Sequence, residues 1–304
     1  MARLRNEIDG YLIGSLERIA TGFIFSEGPV WDPEGFLLFS DMPGDIRRRW
    51  AESEGVTVVR EPANKCNGMA FDNLGRLLVC EHSTSRLVRE SDRGVEVLAD
   101  SYEGSQLNSP NDVVIASDGD IFFTDPTYGR TPVFGLEREP ELDFRGLYRL
   151  AARGGLTLMD DDFSQPNGLC LSPDESVLYV NDTERATIVS YPRLEGGELG
   201  PRSEFAVGVG TVDFDVGVVD GMKCDAEGNV LVTGPNGIWV FDPAGSKLGV
   251  IEVPEVTGNL NWGGPDWTTL FITASTSVYR VDATVAGAPV PNMRRDPTIG
   301  GESG

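Results

Sequence analysis

A short pattern that returns six times constrains the fold of this chain more than any other feature. A polar residue, an apolar run, a Gly/Asp turn and a second β-rich run recur. The copies are EGPVWDPEGFLLFSD from Glu27, NGMAFDNLGRLLVCE from Asn67, NDVVIASDGDIFFTD from Asn111, NGLCLSPDESVLYVN from Asn167, DGMKCDAEGNVLVTG from Asp220 and NLNWGGPDWTTLFIT from Asn259. In each copy the turn joins two runs rich in Val, Leu, Phe and Ile, which is the signature of a β-hairpin. Further short strands follow most hairpins, as in DIRRRW then VTVVRE, or GIWVFDP then LGVIEV. A unit is then about four strands over roughly 40 to 55 residues, the size of a propeller blade. Helical periodicity is nearly absent, so the expected fold is an all-β, six-bladed β-propeller.

The sixth unit has its hairpin and SVYRVDA, but the chain then turns to VAGAPVPNMRRDPTIGGESG, too rich in Pro and Gly for a good outer strand. The missing strand is expected from SLERIATG, residues 15–22, so that the N-terminal strand closes the last blade and the ring has no free edge. The expected organisation is one domain over 1–304, with its core at about 15–285 and a loosely ordered tail at 286–304. Two insertions interrupt the spacing. The longer, DPTYGRTPVFGLEREPELDFRG at 125–146, mixes aromatic, Pro and charged residues, and the second, within 203–219, leads into Asp220. Loops of that size in a compact repeat are more often lids or binding loops than decoration.

Composition excludes several partners. The balance of 25 basic to 48 acidic residues, a formal net charge of -23, repels phosphate backbones and argues against nucleic acid or an anionic membrane. No stretch approaches the roughly 18 apolar residues of a membrane span, and residues 1–10 lack the apolar run of a secretory signal, so a cytoplasmic location is expected. Cys66, Cys80, Cys170 and Cys224 form no C-x-x-C pair and are expected as buried free thiols.

The alignment that defines the blades also sets Glu27, Asn67, Asn111, Asn167, Asp220 and Asn259 at one structural position, the start of each innermost strand. In a propeller those positions surround the central channel at one face. Taken singly, Asn-Gly or Asp-Gly is ordinary turn chemistry; the recurrence is what points to a site. Two carboxylates and four amides, without Cys or His, are hard oxygen donors suited to one divalent cation, calcium first, with magnesium, manganese or zinc as other candidates. Such an ion would also offset the cost of burying the carboxylates.

At these residues the chain resembles the gluconolactonase branch of the senescence marker protein, gluconolactonase and luciferin-regenerating enzyme family. The carriers run from about Leu16 to Asp282: FSEGPVWDPEG, CNGMAFDNLGRLLVCEH, SPNDVVIASDGDIFFTDPTYG, QPNGLCLSPDESVLYV, VDGMKCDAEGNVLV and GGPDWTTLFIT. The resemblance implies a six-bladed propeller with a channel cation held by Glu27, Asn167 and Asp220. It implies that Asn111 ligates the metal or touches substrate, with Asn67 and Asn259 lining the channel. The family's G-G-P-D segment is often preceded by Phe, where this chain has Trp262.

The implied activity is hydrolysis of a small lactone, of the sugar-lactone type. A cation can polarise the carbonyl and stabilise the oxyanion while a ligand carboxylate takes the proton from water. Asp220 is the expected base and Glu27 the alternative. Tyr128 and Arg130 in the long loop are expected to contact substrate, alongside Asn111 and Asn67, or to pack the loop. His82, the only histidine, sits at the end of a blade-two strand that reads as remote from the ligands, so it is expected to be structural. With no G-x-S-x-G elbow, Ser/His/Asp catalysis is disfavoured. The rival readings are a phosphotriesterase on the same calcium constellation and a non-catalytic propeller that binds a protein.

Overall fold

The computed structural model describes residues 8 and 10–291. Among them are six four-stranded antiparallel sheets, each counted outward from the channel. Blade 1 is Ser26–Asp32, Phe36–Asp41, Ile46–Ala51 and Gly55–Arg60, and blade 2 is Cys66–Phe71, Leu77–Glu81, Arg86–Ser91 and Gly94–Ala99. Blade 3 comprises Val113–Ile115, Ile121–Asp125, Gly146–Leu150 and Leu156–Asp160; blade 4 comprises Pro166–Leu171, Val177–Asp182, Thr187–Pro192 and Ser203–Val207. Blade 5 is Met222–Cys224, Val230–Gly234, Gly237–Phe241 and Lys247–Glu252. Blade 6 takes Thr257–Gly263, Thr269–Ala274 and Ser277–Ala283 from the C-terminal end and its outer strand, Leu12–Thr21, from the N-terminal end. The closure expected from residues 15–22 is therefore present, on a strand that starts three residues earlier.

Neighbouring innermost strands touch in cyclic order, from Ser26–Asp32 round to Thr257–Gly263 and back, which makes the arrangement a six-bladed propeller. Alternation along each strand sends apolar side chains to both faces of a blade, and they fill the wedges between blades. Trp31 of blade 1, for example, stacks on Phe271 of blade 6 with ring centroids 4.9 Å apart. All four cysteines are free and buried. Helical structure among the described residues is confined to two single 3-10 turns, Tyr128–Arg130 and Glu195–Gly197, and no helix is long and apolar enough to cross a membrane.

The segment from Ala286 corrects one expectation. Residues 286–291 are not loose: Ala226 N–H donates to Ala286 O at 2.8 Å, Ala288 N–H to Cys224 O at 3.0 Å and Gly287 N–H to Trp267 O at 2.9 Å. Backbone groups that find partners hold even a Pro/Gly-rich segment in place. These residues cross the far end of the channel, where they border a largely apolar cleft. The remainder of the expected tail, 292–304, lies outside the described residues.

Candidate active site

At the other end of the channel the innermost strands begin irregularly. In blades 1, 2, 4 and 6 the pairing of the first two strands slips by one residue beside the ring position: between Glu27 and Val30, Cys66 and Met69, Pro166 and Leu169, and Thr257 and Asn259. A one-residue bulge breaks the strict alternation and re-aims a side chain. In blades 3 and 5 the strand starts only at Val113 and Met222, so Asn111 and Asp220 precede it. Glycine makes the crowding feasible. Gly28 has φ +51°, and a Cβ there would collide with the carbonyl of Asn67 in the next blade; both facts demand glycine. A Cβ on Gly168 would likewise meet the carbonyl of Asp220.

The ring backbone is fixed across blade boundaries. Ser40 Oγ donates to Asn67 O at 3.2 Å, Thr124 Oγ1 to Asn167 O at 2.7 Å, Asn181 Nδ2 to Asp220 O at 2.5 Å, and Gly68 N–H to Asn111 O at 2.8 Å. With the carbonyls occupied, the side chains point at the axis. They form a relay through three blades: Asn67 Nδ2 donates to Asn111 Oδ1, Asn111 Nδ2 to Asn167 Oδ1, and Asn167 Nδ2 to Thr183 Oγ1 at 3.1 Å. Glu27, Asn67, Asn111, Asn167 and Asp220 all line one cleft together with His82 and Tyr128. Asn259 lies beside them, close enough to Glu27 and Asp112 to favour their carboxylate forms.

Charge in this channel is unbalanced. Burial pushes the Glu27 carboxyl up to about 7, against the pull of the Gly28 N–H, which donates to Oε2 at 2.7 Å. Asp220 is held well above the usual carboxylate range, first by burial and then by repulsion from Glu27 and Asp112. Asp112 is also raised by burial, with Lys223 as the main opposing influence, and its Oδ2 is buried without a hydrogen-bond partner. Three buried carboxyl groups near one lysine are costly as anions. The donor set therefore fits a hard divalent ion, for which Glu27, Asp220 and the amide oxygens of Asn111 and Asn167 are the available ligands. No three His, Cys, Asp or Glu side chains among the described residues gather as a metal cluster, so the amides are essential to this set.

One sequence expectation, that for His82, is corrected by position, and Arg130 takes the loop-packing place of its two alternatives. His82 is not remote: it borders the cleft, with Nε2 3.0 Å from Asn111 Oδ1 and Nδ1 3.0 Å from Phe134 O. The second strand of a hairpin runs antiparallel to the first, so its end returns to the first strand's beginning. Burial lowers the His82 pKa to about 4, which keeps the ring neutral. Arg130, by contrast, does not line the cleft. Its guanidinium donates to Leu107 O at 2.8 Å, to Asn108 O at 3.0 Å and to Glu139 O, tying the long loop to the start of blade 3. Tyr128 does reach the cleft.

Sequence reasoning missed Asp112 and the aromatic wall. The residue after the ring position is glycine in four units but Asp in the third, a departure that could have flagged Asp112. The wall is built by the two insertions: Phe134 from one packs edge-on to Phe25 at 6.2 Å, and Phe214 from the other packs edge-on to Tyr128 at 6.4 Å.

Comparison with known proteins shows what the chain is similar to. The family model for the SMP-30/gluconolactonase/LRE-like region matches residues 25–276. A gluconolactonase of Zymomonas mobilis is 35% identical over 289 residues, covering 88% of this chain and 80% of the relative. A pentonolactonase of Haloferax volcanii is 25% identical over 93% of this chain and 98% of its own length. Among solved structures, a gluconolactonase of Xanthomonas campestris superimposes with a TM-score of 0.82 at 33% identity, covering 90% of this chain and 91% of that one.

Proposed function

The chain belongs to the SMP-30/gluconolactonase/LRE-like family, and on that footing we propose that it is a divalent-cation-dependent lactonase acting on a small lactone. The observation that carries the reading is the convergence of Glu27, Asn111, Asn167 and Asp220 on one cleft in which buried carboxyl groups outnumber their partners. Lactonase-type relatives favour cyclic-ester opening over phosphotriester hydrolysis.

Glu27, Asn167 and Asp220 would hold the ion, with Asn111 as a fourth ligand or a substrate contact; calcium suits this oxygen-only set. Bound there, it would supply Lewis acidity toward the ester carbonyl and the charge that develops on its oxygen. Asp220 is the general base. From the cleft wall its carboxylate takes a proton from the attacking water and returns it to the departing ring oxygen. Glu27 is held by the Gly28 N–H, which fixes its carboxylate as a ligand rather than a mobile base. Asn111 and Asn67, positioned by their mutual hydrogen bond and by His82, orient the ester.

Lactone opening releases a proton, so a pH-indicator assay with glucono-δ-lactone and a panel of other lactones tests the proposal. Chelation should lower turnover at least a hundredfold, and added calcium or manganese should restore it. Turnover that persists after exhaustive chelation, or a phosphotriester hydrolysed far faster than any lactone, would overturn it.

A further inference from the structure

The walls of the cleft carry information about the part of the substrate that does not react. Above the polar ring they consist of Phe25, Met42, Tyr128, Phe134 and Phe214. The apolar surface continues onto the rim, where Val133 and Leu136 of the first insertion and Val212 and Val216 of the second are each about half exposed.

A polyhydroxylated substrate needs several polar partners, and on the walls above the ring this cleft offers only the unpartnered Tyr128 hydroxyl. The long loop carries two arginines near the mouth, but both are engaged elsewhere. Arg130 donates to carbonyls at the start of blade 3, and Arg138 donates to His82 O at 2.8 Å, Ser85 Oγ at 2.5 Å and Leu136 O at 2.8 Å. The amides of Asn67, Asn111 and Asn167 are partly occupied, by one another and by Thr183, and what remains of their capacity faces the ion and the ester at the base of the cleft. His82 has Asn111 on one nitrogen and the Phe134 carbonyl on the other. The cleft is lined by no charged side chain beyond Glu27 and Asp220. A hydroxyl taken from water into such surroundings without a partner weakens binding about tenfold, whereas an alkyl or aryl group gains by burial against the aromatic wall.

Resting on the lactonase reading, we propose that the preferred substrate is a lactone bearing an apolar alkyl or aryl substituent rather than a polyol lactone. The ester ring sits at the Glu27/Asp220 end of the cleft, and the substituent lies between the Phe25/Phe134 pair and the Tyr128/Phe214 pair.

The test compares kcat/KM of the calcium-loaded protein for δ-decalactone, dihydrocoumarin and glucono-δ-lactone. The two apolar lactones should exceed glucono-δ-lactone at least tenfold, chiefly through lower KM. Phe214→Asn, which changes a rim side chain that is 53% exposed, should shrink that ratio at least fivefold while the melting temperature stays in place. Calorimetry of the metal-free protein with the matching δ-lactams gives a second reading, in which the alkyl lactam should bind at least tenfold tighter than the polyhydroxylated one. A glucono-δ-lactone rate equal to or above the others overturns this inference and leaves the lactonase reading intact. If no lactone turns over, both fail.

Discussion

The Asn111 side chain in blade 3 donates a hydrogen bond to the Asn167 side chain in blade 4, across a sequence separation of 56 residues. That contact is one link in a relay from Asn67 to Thr183 that sets amide oxygens and nitrogens around the channel mouth. The relay makes the site rigid in the absence of regular strand geometry, because each amide is oriented by the next blade. Consequences follow for each group it places.

Asp220→Asn removes the proposed base and keeps its shape. We expect turnover of any lactone to fall about 10²–10⁴-fold, with the fold retained, because the buried side chain loses a charge that Glu27 and Asp112 oppose. Steady-state rates beside circular-dichroism melting check both halves of this expectation.

Glu27→Gln should act on the ion more than on the chemistry. The amide still accepts the Gly28 N–H but contributes no charge, so calcium affinity measured by titration calorimetry should drop about 10- to 100-fold. Saturating calcium should recover much of the rate.

Stability should depend on pH with a sign set by the channel carboxyls. Folding raises Glu27 from its ordinary value of 4.5 to about 7 and raises Asp112 and Asp220 as well. The folded protein therefore binds more protons than the unfolded chain between about pH 4.5 and 7. The stabilisation is fully present below the unfolded value and is lost as pH rises through the folded one. For metal-free protein, the unfolding free energy from denaturant titrations should fall from pH 5 to pH 8 by an amount on the order of 2 kcal/mol. Calcium, which competes with those protons, should stabilise most at the alkaline end.

Arg130→Ala tests the reassignment of that residue. Its lost hydrogen bonds to Leu107, Asn108 and Glu139 should destabilise the protein by about 2–4 kcal/mol. KM should rise only as far as the loop bearing Tyr128 and Phe134 loosens. A collapse of kcat with unchanged stability would return Arg130 to the cleft.

Much of the molecule could be read in advance, and the residues show why. Six polar-plus-hairpin units specify six blades because hairpin turns and alternating strands are local features. The ring at Glu27, Asn67, Asn111, Asn167, Asp220 and Asn259 emerged from the same alignment, since equivalent positions in a closed repeat share an axis. The closing strand was legible because the sixth unit lacked an outer strand of its own. What escaped depended on contacts between distant segments. His82 lies at the cleft because its strand returns antiparallel, and Arg130 turns away because carbonyls of Leu107 and Asn108 meet its fork. Residues 286–291 are held by backbone bonds to blades 5 and 6 that composition does not announce. The aromatic wall required two insertions, one in blade 3 and one before blade 5, to meet over one opening.

The most direct measurement is an anomalous difference map from a crystal soaked in manganese. One strong peak is expected on the channel axis, within coordination distance of the side-chain oxygens of Glu27, Asn167 and Asp220. An axis without a peak at full soak, or a peak elsewhere with those three side chains turned apart, would contradict it.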